Sequence, residues 1–176
     1  MTNPADPMKI LVTWYSETGN TRKVAEAIFE ALAGDKTMIP FSEVESLGGY
    51  DLSFIGFPVK RFGVPGPVRE FITTHAAGKR IALFVTHAMP SDSEDPQQQA
   101  LLEKELAKCR AACSKSELVA FFHCRGELSE QLADELRSSN IPVLMEFAGM
   151  RSVTLRHPDQ SELEAARAFA RLTAPP

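Results

Sequence analysis

Residues 9–32 contain two apolar patterns separated by a short polar stretch. The run Lys9–Trp14 is rich in β-favouring residues, and apolar side chains recur at helical spacing from Val24 to Leu32. A strand should therefore end, and a helix begin, across the polar stretch 15–21. Hydroxyl side chains and first-turn amides would then surround one point, where the helix dipole favours a negative charge. The stretch predicts a phosphate-binding loop.

The residue pattern of this loop distinguishes it from two other phosphate-binding loops. A dinucleotide loop would need Gly-x-Gly-x-x-Gly, and a nucleoside-triphosphate loop would need Gly-x-x-x-x-Gly-Lys followed by Ser or Thr. Neither pattern is present. The sequence Ser16-x-Thr18-Gly19-Asn20-Thr21 instead resembles the phosphate loop of the flavodoxin family, which holds flavin mononucleotide (FMN) without a lysine. The resemblance implies that the phosphate is bound by Ser16, Glu17, Thr18, Gly19, Asn20 and Thr21. An ordinary polar capping loop is the alternative interpretation.

Apolar runs bounded by turn residues predict the remaining elements. The predicted strands cover residues 9–14, 37–41, 51–57, 80–86 and 118–123. The predicted helices cover residues 21–32, a segment that begins at Pro67, 97–112, 129–138 and 158–172. The apolar segment 141–150 contains Pro142 and Gly149 and receives no assignment. Alternating strands and helices with short connections predict a parallel sheet covered on both faces.

The flavodoxin resemblance makes this expectation more specific. It implies a three-layer α/β sandwich with a parallel five-stranded sheet of order 2-1-3-4-5 and helices on both faces. A chain of 176 residues suits one domain. We expect a flexible leader at residues 1–8, a single flavodoxin-like domain at 9–173 and a frayed tail at 174–176.

In this family two further loops lie against the faces of the flavin ring. The resemblance places residues 58–65 and 87–95 in those loops, and it implies cofactor contacts from Pro58, Val59, Phe62, Gly63, Thr86, His87, Ala88 and Met89. Cys124, after a later strand, would close the rim of the site. Family members usually cover the ring with aromatic side chains. Here the second loop offers only Phe57 and Phe62. For each, a flavin contact and a role in the core or in anchoring the loop are equally consistent with the sequence.

Composition and charge exclude several other classes of protein. No apolar run approaches the roughly 20 residues of a membrane helix, and residues 1–8 lack the apolar core of an export signal. The net charge is −4 and basic residues do not cluster, which disfavours a nucleic-acid surface. Three cysteines form no disulfide framework and, with the histidines, show no structural zinc spacing. The expected location is the cytoplasm.

The function that these observations favour is electron transfer by bound FMN between larger redox enzymes. No paired acid and base suggests a separate substrate site, so no catalytic residue and no metal site are predicted. Asp92, Glu94 and Asp95 are a candidate acidic contact for transient redox partner proteins. Two alternatives stay open: an FMN-dependent NAD(P)H:quinone-type reductase, and a flavin-free binding or regulatory domain on the same fold.

Overall fold

The computed structural model of the chain describes residues 7–60 and 63–175. Its centre is a five-stranded sheet of order β2-β1-β3-β4-β5, in which every neighbouring pair is parallel. The strands are β1 Lys9–Trp14, β2 Asp35–Pro40, β3 Leu52–Pro58, β4 Arg80–His87 and β5 Glu117–Arg125. The predicted fold class and strand order are therefore confirmed. Pro40 ends an edge strand, where its missing N–H interrupts no ladder.

Seven α-helices and one short 3₁₀ helix connect and cover the strands in the described part of the chain. The α-helices are α1 Asn20–Ala31, α2 Gly66–His75, α3 Pro96–Ala112, α4 Glu130–Arg137, α5 Pro142–Gly149, α6 Arg151–Thr154 and α7 Gln160–Thr173, and the 3₁₀ helix is Phe41–Glu43. The unassigned segment 141–150 thus contains a helix. Its two apparent helix breakers lie at the ends: Pro142 occupies the first turn, where proline is tolerated, and Gly149 is the last residue.

Two apolar layers cover the two faces of the sheet. One contains Leu11, Ile55 and Leu83 and includes side chains from α2 and α3. The other contains Val12 and Phe84 and includes side chains from α1 and α7. The alternation of side chains along each strand sends neighbouring residues into opposite layers, which is why the strands are apolar nearly throughout. Glycine is required at residue 56, because a Cβ there would lie 1.9 Å from the ring of Phe84.

The ends of the chain bear on the predicted boundaries. Residues 1–6 of the predicted leader and Pro176 of the predicted tail lie outside the described residues. Ala174 is 5% exposed, and its amide donates to the carbonyl of Ala170 at 3.0 Å. Ordered packing therefore extends beyond residue 173. No helix in the described part of the chain has both the length and the apolar character needed to cross a membrane.

Candidate functional site

A cavity of about 450 Å³ lies at the carboxyl edge of the sheet. Its walls come from the loop after β1, the ends of β3 and β4, and the segment after β5. The predicted site residues that line it are Ser16, Glu17, Thr18, Asn20, Thr21, Pro58, Val59, Thr86, His87, Ala88 and Met89. The volume is in the range of pockets that hold cofactors and other small ligands. The structure thus brings together most of the residues that the sequence singled out.

The loop after β1 ends in a helix start that has no side-chain acceptor. Gly19 adopts a φ of +90°, which favours glycine, and its amide donates to Ser16 Oγ at 3.0 Å. Within the described chain no side chain caps α1, and its first turn contains no acidic residue. The amides of a helix's first turn have no partner within the helix, and the first two residues of α1 line the cavity, so this helix start suits an anionic ligand.

The two threonines of this loop differ in their surroundings. Thr18 is exposed, whereas Thr21 is 1% exposed and its hydroxyl lies 2.8 Å from that of Thr86. This hydrogen bond connects the first turn of α1 to the end of β4. In such a pair one hydroxyl donates and the other keeps its hydrogen for another acceptor. Thr18 therefore has the freer hydroxyl, and Thr21 has a structural partner that the sequence did not indicate.

Glu17 connects the first loop to the second. Its carboxylate accepts a hydrogen bond from Tyr15 Oη at 2.7 Å and forms an ion pair with Lys60 Nζ at 2.6 Å. The bond to the carboxylate raises the pKa of Tyr15 because it favours the protonated phenol. Lys60 also lines the cavity, although it was not among the predicted contacts. The pair places an opposite charge beside the negative charge of Glu17 at the mouth of the site.

Gly63, a predicted contact of the second loop, does not line the cavity. Gly63 and Lys60 exchange backbone hydrogen bonds of 3.0 and 3.1 Å, which close a tight turn. Gly63 faces a second, shallower pocket beside Tyr15, and Phe62 lies outside the described residues. Phe57 has no exposed area and belongs to the core. Of the two interpretations of Phe57, the core role is the one that the structure supports.

His87 is held in one orientation by two hydrogen bonds. Its Nδ1 lies 3.1 Å from the carbonyl of Met89, and its Nε2 lies 3.0 Å from Nδ1 of His123. A carbonyl only accepts, so Nδ1 of His87 donates and its Nε2 accepts from His123. Burial lowers the pKa of His87 to about 3 and also lowers the pKa of His123. Both imidazoles are therefore neutral at neutral pH.

Cys124 does not line the cavity. The side chain is 4% exposed and packs in the apolar layer of α1 and α7. Burial raises the pKa of its thiol, and the neighbouring carboxylate of Glu162 raises it further. The position of Cys124 away from the cavity results from a bulge in β5, where an extra residue between Leu118 and Ala120 shifts the register against β4. This bulge puts His123 on the face of His87 and Cys124 on the opposite face.

The sequence analysis missed one wall of the cavity, formed by the segment after β5. Its lining residues are Gly126, Glu127, Leu128, Ser129, Leu132, Glu135, Leu136, Leu144 and Phe147. The available signals were the helical spacing of Leu132 and Leu136 and the apolar character of residues 141–148. Nothing in that spacing shows on which side of the sheet the helices lie.

One cluster of residues resembles a metal site but has a structural explanation. The ligand atoms of His157, Asp159 and Glu162 lie within 4.8 Å of one another. Glu162 Oε2 accepts from His157 Nδ1 at 2.6 Å and from the Asp159 amide at 2.8 Å. The Asp159 bond belongs to a capping box at the start of α7, and the His157 bond is made to the same carboxylate oxygen.

Comparison with known sequences identifies a domain family. The model of a flavodoxin domain matches residues 11–171 of the chain. A curated relative, the flavodoxin-like domain-containing protein BilS of Clostridioides difficile (strain CD3), is 26% identical over 174 residues. That match covers 93% of this chain and 95% of the relative.

Solved structures show the same architecture. Oxidised flavodoxin 2 from Bacillus cereus aligns with a TM-score of 0.54 and 18% identity, covering 94% of this chain and 97% of that one. A flavoprotein from Lactobacillus acidophilus NCFM, solved in complex with FMN, aligns with a TM-score of 0.50 and 15% identity. It covers 73% of this chain and 97% of its own. At these identities the likeness shows the fold.

Proposed function

Because the chain belongs to the flavodoxin family, we propose that it binds FMN and transfers electrons between redox partners. The observation that supports this function most directly is the start of α1, which has no side-chain cap and whose first two residues line the cavity. A phosphate ester would supply the acceptors that the chain itself does not. The FMN complex of the Lactobacillus acidophilus flavoprotein shows that a protein of this fold takes that cofactor.

The phosphate would be held by the first loop. Ser16, Thr18 and the first-turn amides of α1 are the donors that face the cavity. The Asn20 side chain has another task, since its Nδ2 donates to the carbonyl of Glu127 at 2.9 Å. When bound, the flavin itself supplies the redox chemistry. The protein's contribution is to position the ring in the cavity, where His87 is an uncharged lining residue.

The proposed partners are redox proteins that bind transiently and in part through charge. The candidate acidic segment follows β4 at the edge that holds the cavity. Two of its three carboxylates have internal partners: Asp92 pairs with Arg125 at 3.2 Å, and Asp95 caps α3 by accepting from the Gln97 amide at 2.9 Å. Glu94 is exposed. We place the protein in the cytoplasm, in keeping with its three free, buried cysteines.

A comparison of FMN with riboflavin tests the proposal, because only FMN carries the phosphate. We expect the wild-type protein to bind FMN more tightly than riboflavin in a fluorescence titration. Thr18→Val should weaken FMN binding by about 1.5–3 kcal/mol, the usual value of a hydrogen bond to a charged group, and leave riboflavin binding unchanged. Thr74→Val, near the carboxyl end of α2, is the matched control and should change neither.

Two results would contradict this assignment. An equal loss of FMN and riboflavin affinity in Thr18→Val would mean that the first loop does not hold the phosphate. A protein that stays colourless in excess FMN would favour the flavin-free alternative. Rapid oxidation of NAD(P)H by the loaded protein would support the reductase over the electron carrier.

A further inference from the structure

The segment between β5 and α7 is a helical insertion on the sheet edge. Residues 126–159 contain α4, α5 and α6, whereas α7 returns to the sheet and packs beside α1. The helices α4 and α5 pack against each other, and Ala88 of the third loop packs into the cluster that they form. The insertion, which we call the α4–α5 wall where it lines the cavity, therefore lies over the carboxyl end of β4.

The base of the insertion is fixed to the other loops of the site. The amide of Gly126 donates to the carbonyl of His87 at 2.8 Å, and Asn20 Nδ2 donates to the carbonyl of Glu127 at 2.9 Å. At its far end the Leu128 amide donates to Thr154 Oγ1 at 3.0 Å. These bonds join the start of the insertion to the first loop, to the third loop and to its own end. The α4–α5 wall is consequently a fixed part of the site.

The inner and outer sides of α5 have different environments. Leu144 and Phe147 line the cavity, whereas the neighbouring Val143 and Met145 are 56% and 45% exposed. Leu136 of α4 lines the cavity as well. Apart from Glu135, the side chains of α4 and α5 that line the cavity are apolar, and Leu144 belongs to none of the buried core clusters. Its surface is available to a ligand.

The other walls of the cavity offer little aromatic cover. Among the described residues of the second and third loops that line it, the only aromatic side chain is that of His87. Pro58 and Val59, at the end of β3, also line the cavity, and the Val59 amide donates to the carbonyl of Thr86 at 2.8 Å. A flat aromatic ring in this cavity would find its largest apolar surface on the α4–α5 wall.

We propose that the α4–α5 wall is the ring-binding half of the cofactor site, with Leu136, Leu144 and Phe147 covering one face of the isoalloxazine. Val59, from the end of β3, lines the same cavity. The inference rests on the proposed binding of FMN. It divides the site into two parts: the start of α1 holds the phosphate, and the inserted helices hold the ring. The helices thus replace the aromatic side chains that the second and third loops lack in the described residues.

The two halves predict opposite selectivity, which makes the inference testable. A substitution in the α4–α5 wall should weaken the binding of FMN and of riboflavin by the same factor, because both ligands carry the ring. We expect Leu144→Ala to lower the affinity for each flavin by about tenfold, which is the usual scale for removing part of a leucine from an apolar contact. Met145→Ala is the matched control, since it shortens the next side chain of the same helix on the exposed side.

The experiment measures dissociation constants for FMN and riboflavin by fluorescence titration, and thermal unfolding of each variant in parallel. Leu136→Ala provides a second wall variant on the other helix. If both wall variants unfold as the wild type does and bind both flavins with wild-type affinity, the inference is overturned, while the selective effect of Thr18→Val would leave FMN binding intact as the function. If the wild type binds neither flavin, both proposals fail.

Discussion

The starts of α1 and α7 lie at the same edge of the sheet but are completed in different ways. At α7, Asp159 accepts from the Glu162 amide at 2.9 Å, and the Glu162 carboxylate accepts from the Asp159 amide and from the Arg125 amide at 3.0 Å. The chain thus fills this helix start with its own carboxylates. At α1 the cap residue is Gly19, and no side chain of the described residues accepts from the first turn.

The helices α2, α5 and α6 also lack a side-chain cap, so what distinguishes the start of α1 is that its first two residues, Asn20 and Thr21, line the cavity. A side-chain cap stabilises a helix by about 1 kcal/mol, and an acidic group there also interacts favourably with the dipole. The chain obtains this stabilisation at α3, α4 and α7, each of which has a side-chain cap. At α1 the corresponding groups face the cavity. We infer that an anion from solution completes this helix.

A carboxylate placed beside the start of α1 should make that helix start resemble the start of α7, which already holds carboxylates of the chain. We expect Thr18→Asp to weaken FMN binding by about a hundredfold or more, because facing like charges costs several kcal/mol. Riboflavin affinity should change little, since riboflavin carries no phosphate. Thr18→Asn is the control, because asparagine has nearly the same shape as aspartate and carries no charge. Titration of both variants with both flavins measures the effect, and unchanged FMN affinity in Thr18→Asp would show that the phosphate lies elsewhere.

Removing the carboxylate of Glu162 from the start of α7 should lower stability and leave flavin binding unchanged. Glu162 is 16% exposed and accepts hydrogen bonds from two backbone amides and from His157. We expect Glu162→Ala to lower the free energy of unfolding by about 2–3 kcal/mol, the scale of lost hydrogen bonds to a charged group. FMN affinity should remain that of the wild type. Urea denaturation measures the first quantity and flavin titration the second.

Glu164 provides the control for this variant. It is on the same helix, 59% exposed, and paired only with Arg167 and Arg171 in the described structure. Its replacement by alanine should leave stability nearly unchanged, because exposed ion pairs contribute little. Equal destabilisation by the two variants would indicate a general effect of helix charge and would remove the distinction between the two helix starts.

Acid should sharpen the comparison, because different groups titrate near the two helices. At α7 the Glu162 amide lowers the pKa of Asp159, so this cap persists into acid. At the cavity, burial lowers the pKa of His87 to about 3, whereas an unfolded histidine titrates near 6.5. The stability that comes from keeping His87 neutral is fully present above about pH 6.5 and is lost as the pH falls toward 3.

The corresponding experiment compares wild type with His87→Gln. Between about pH 6 and 4 the unfolded wild-type chain binds one more proton at this residue, so unfolding becomes easier by about 1.4 kcal/mol for each pH unit lost. His87→Gln lacks this component, and its stability should decline less steeply in the same range. Urea denaturation at several pH values measures both slopes. Parallel curves would mean that His87 does not remain neutral in the folded protein.

The sequence predicts the sheet because the relevant signals are local. Each predicted strand is a strand in the described structure, and the polar stretch after Trp14 lies where a strand ends and α1 begins. The assignment of side chains to the site was less complete. Thr18 and Thr21 look alike in the sequence, and only the position of Thr86 on β4 shows that Thr21 has an internal partner.

The remaining differences come from information that one strand or helix does not contain. The bulge in β5 reverses the faces of His123 and Cys124, and no residue type announces it. The pattern of α4 predicts a helix but not its docking over the cavity. In α5, Pro142 and Gly149 have the composition of a loop, although each lies at a helix end that tolerates it. Tertiary packing determines these features.

The contact between Asn20 and residue 126 has a consequence for chains built on the same plan. A Cβ on Gly126 would lie 2.9 Å from Asn20 Nδ2 and 3.1 Å from Asn20 Cβ. The two positions therefore form a steric pair, in which any enlargement of one must be matched by a reduction of the other. The first loop and the helical extension that begins beside it can coexist here only as a jointly constrained unit.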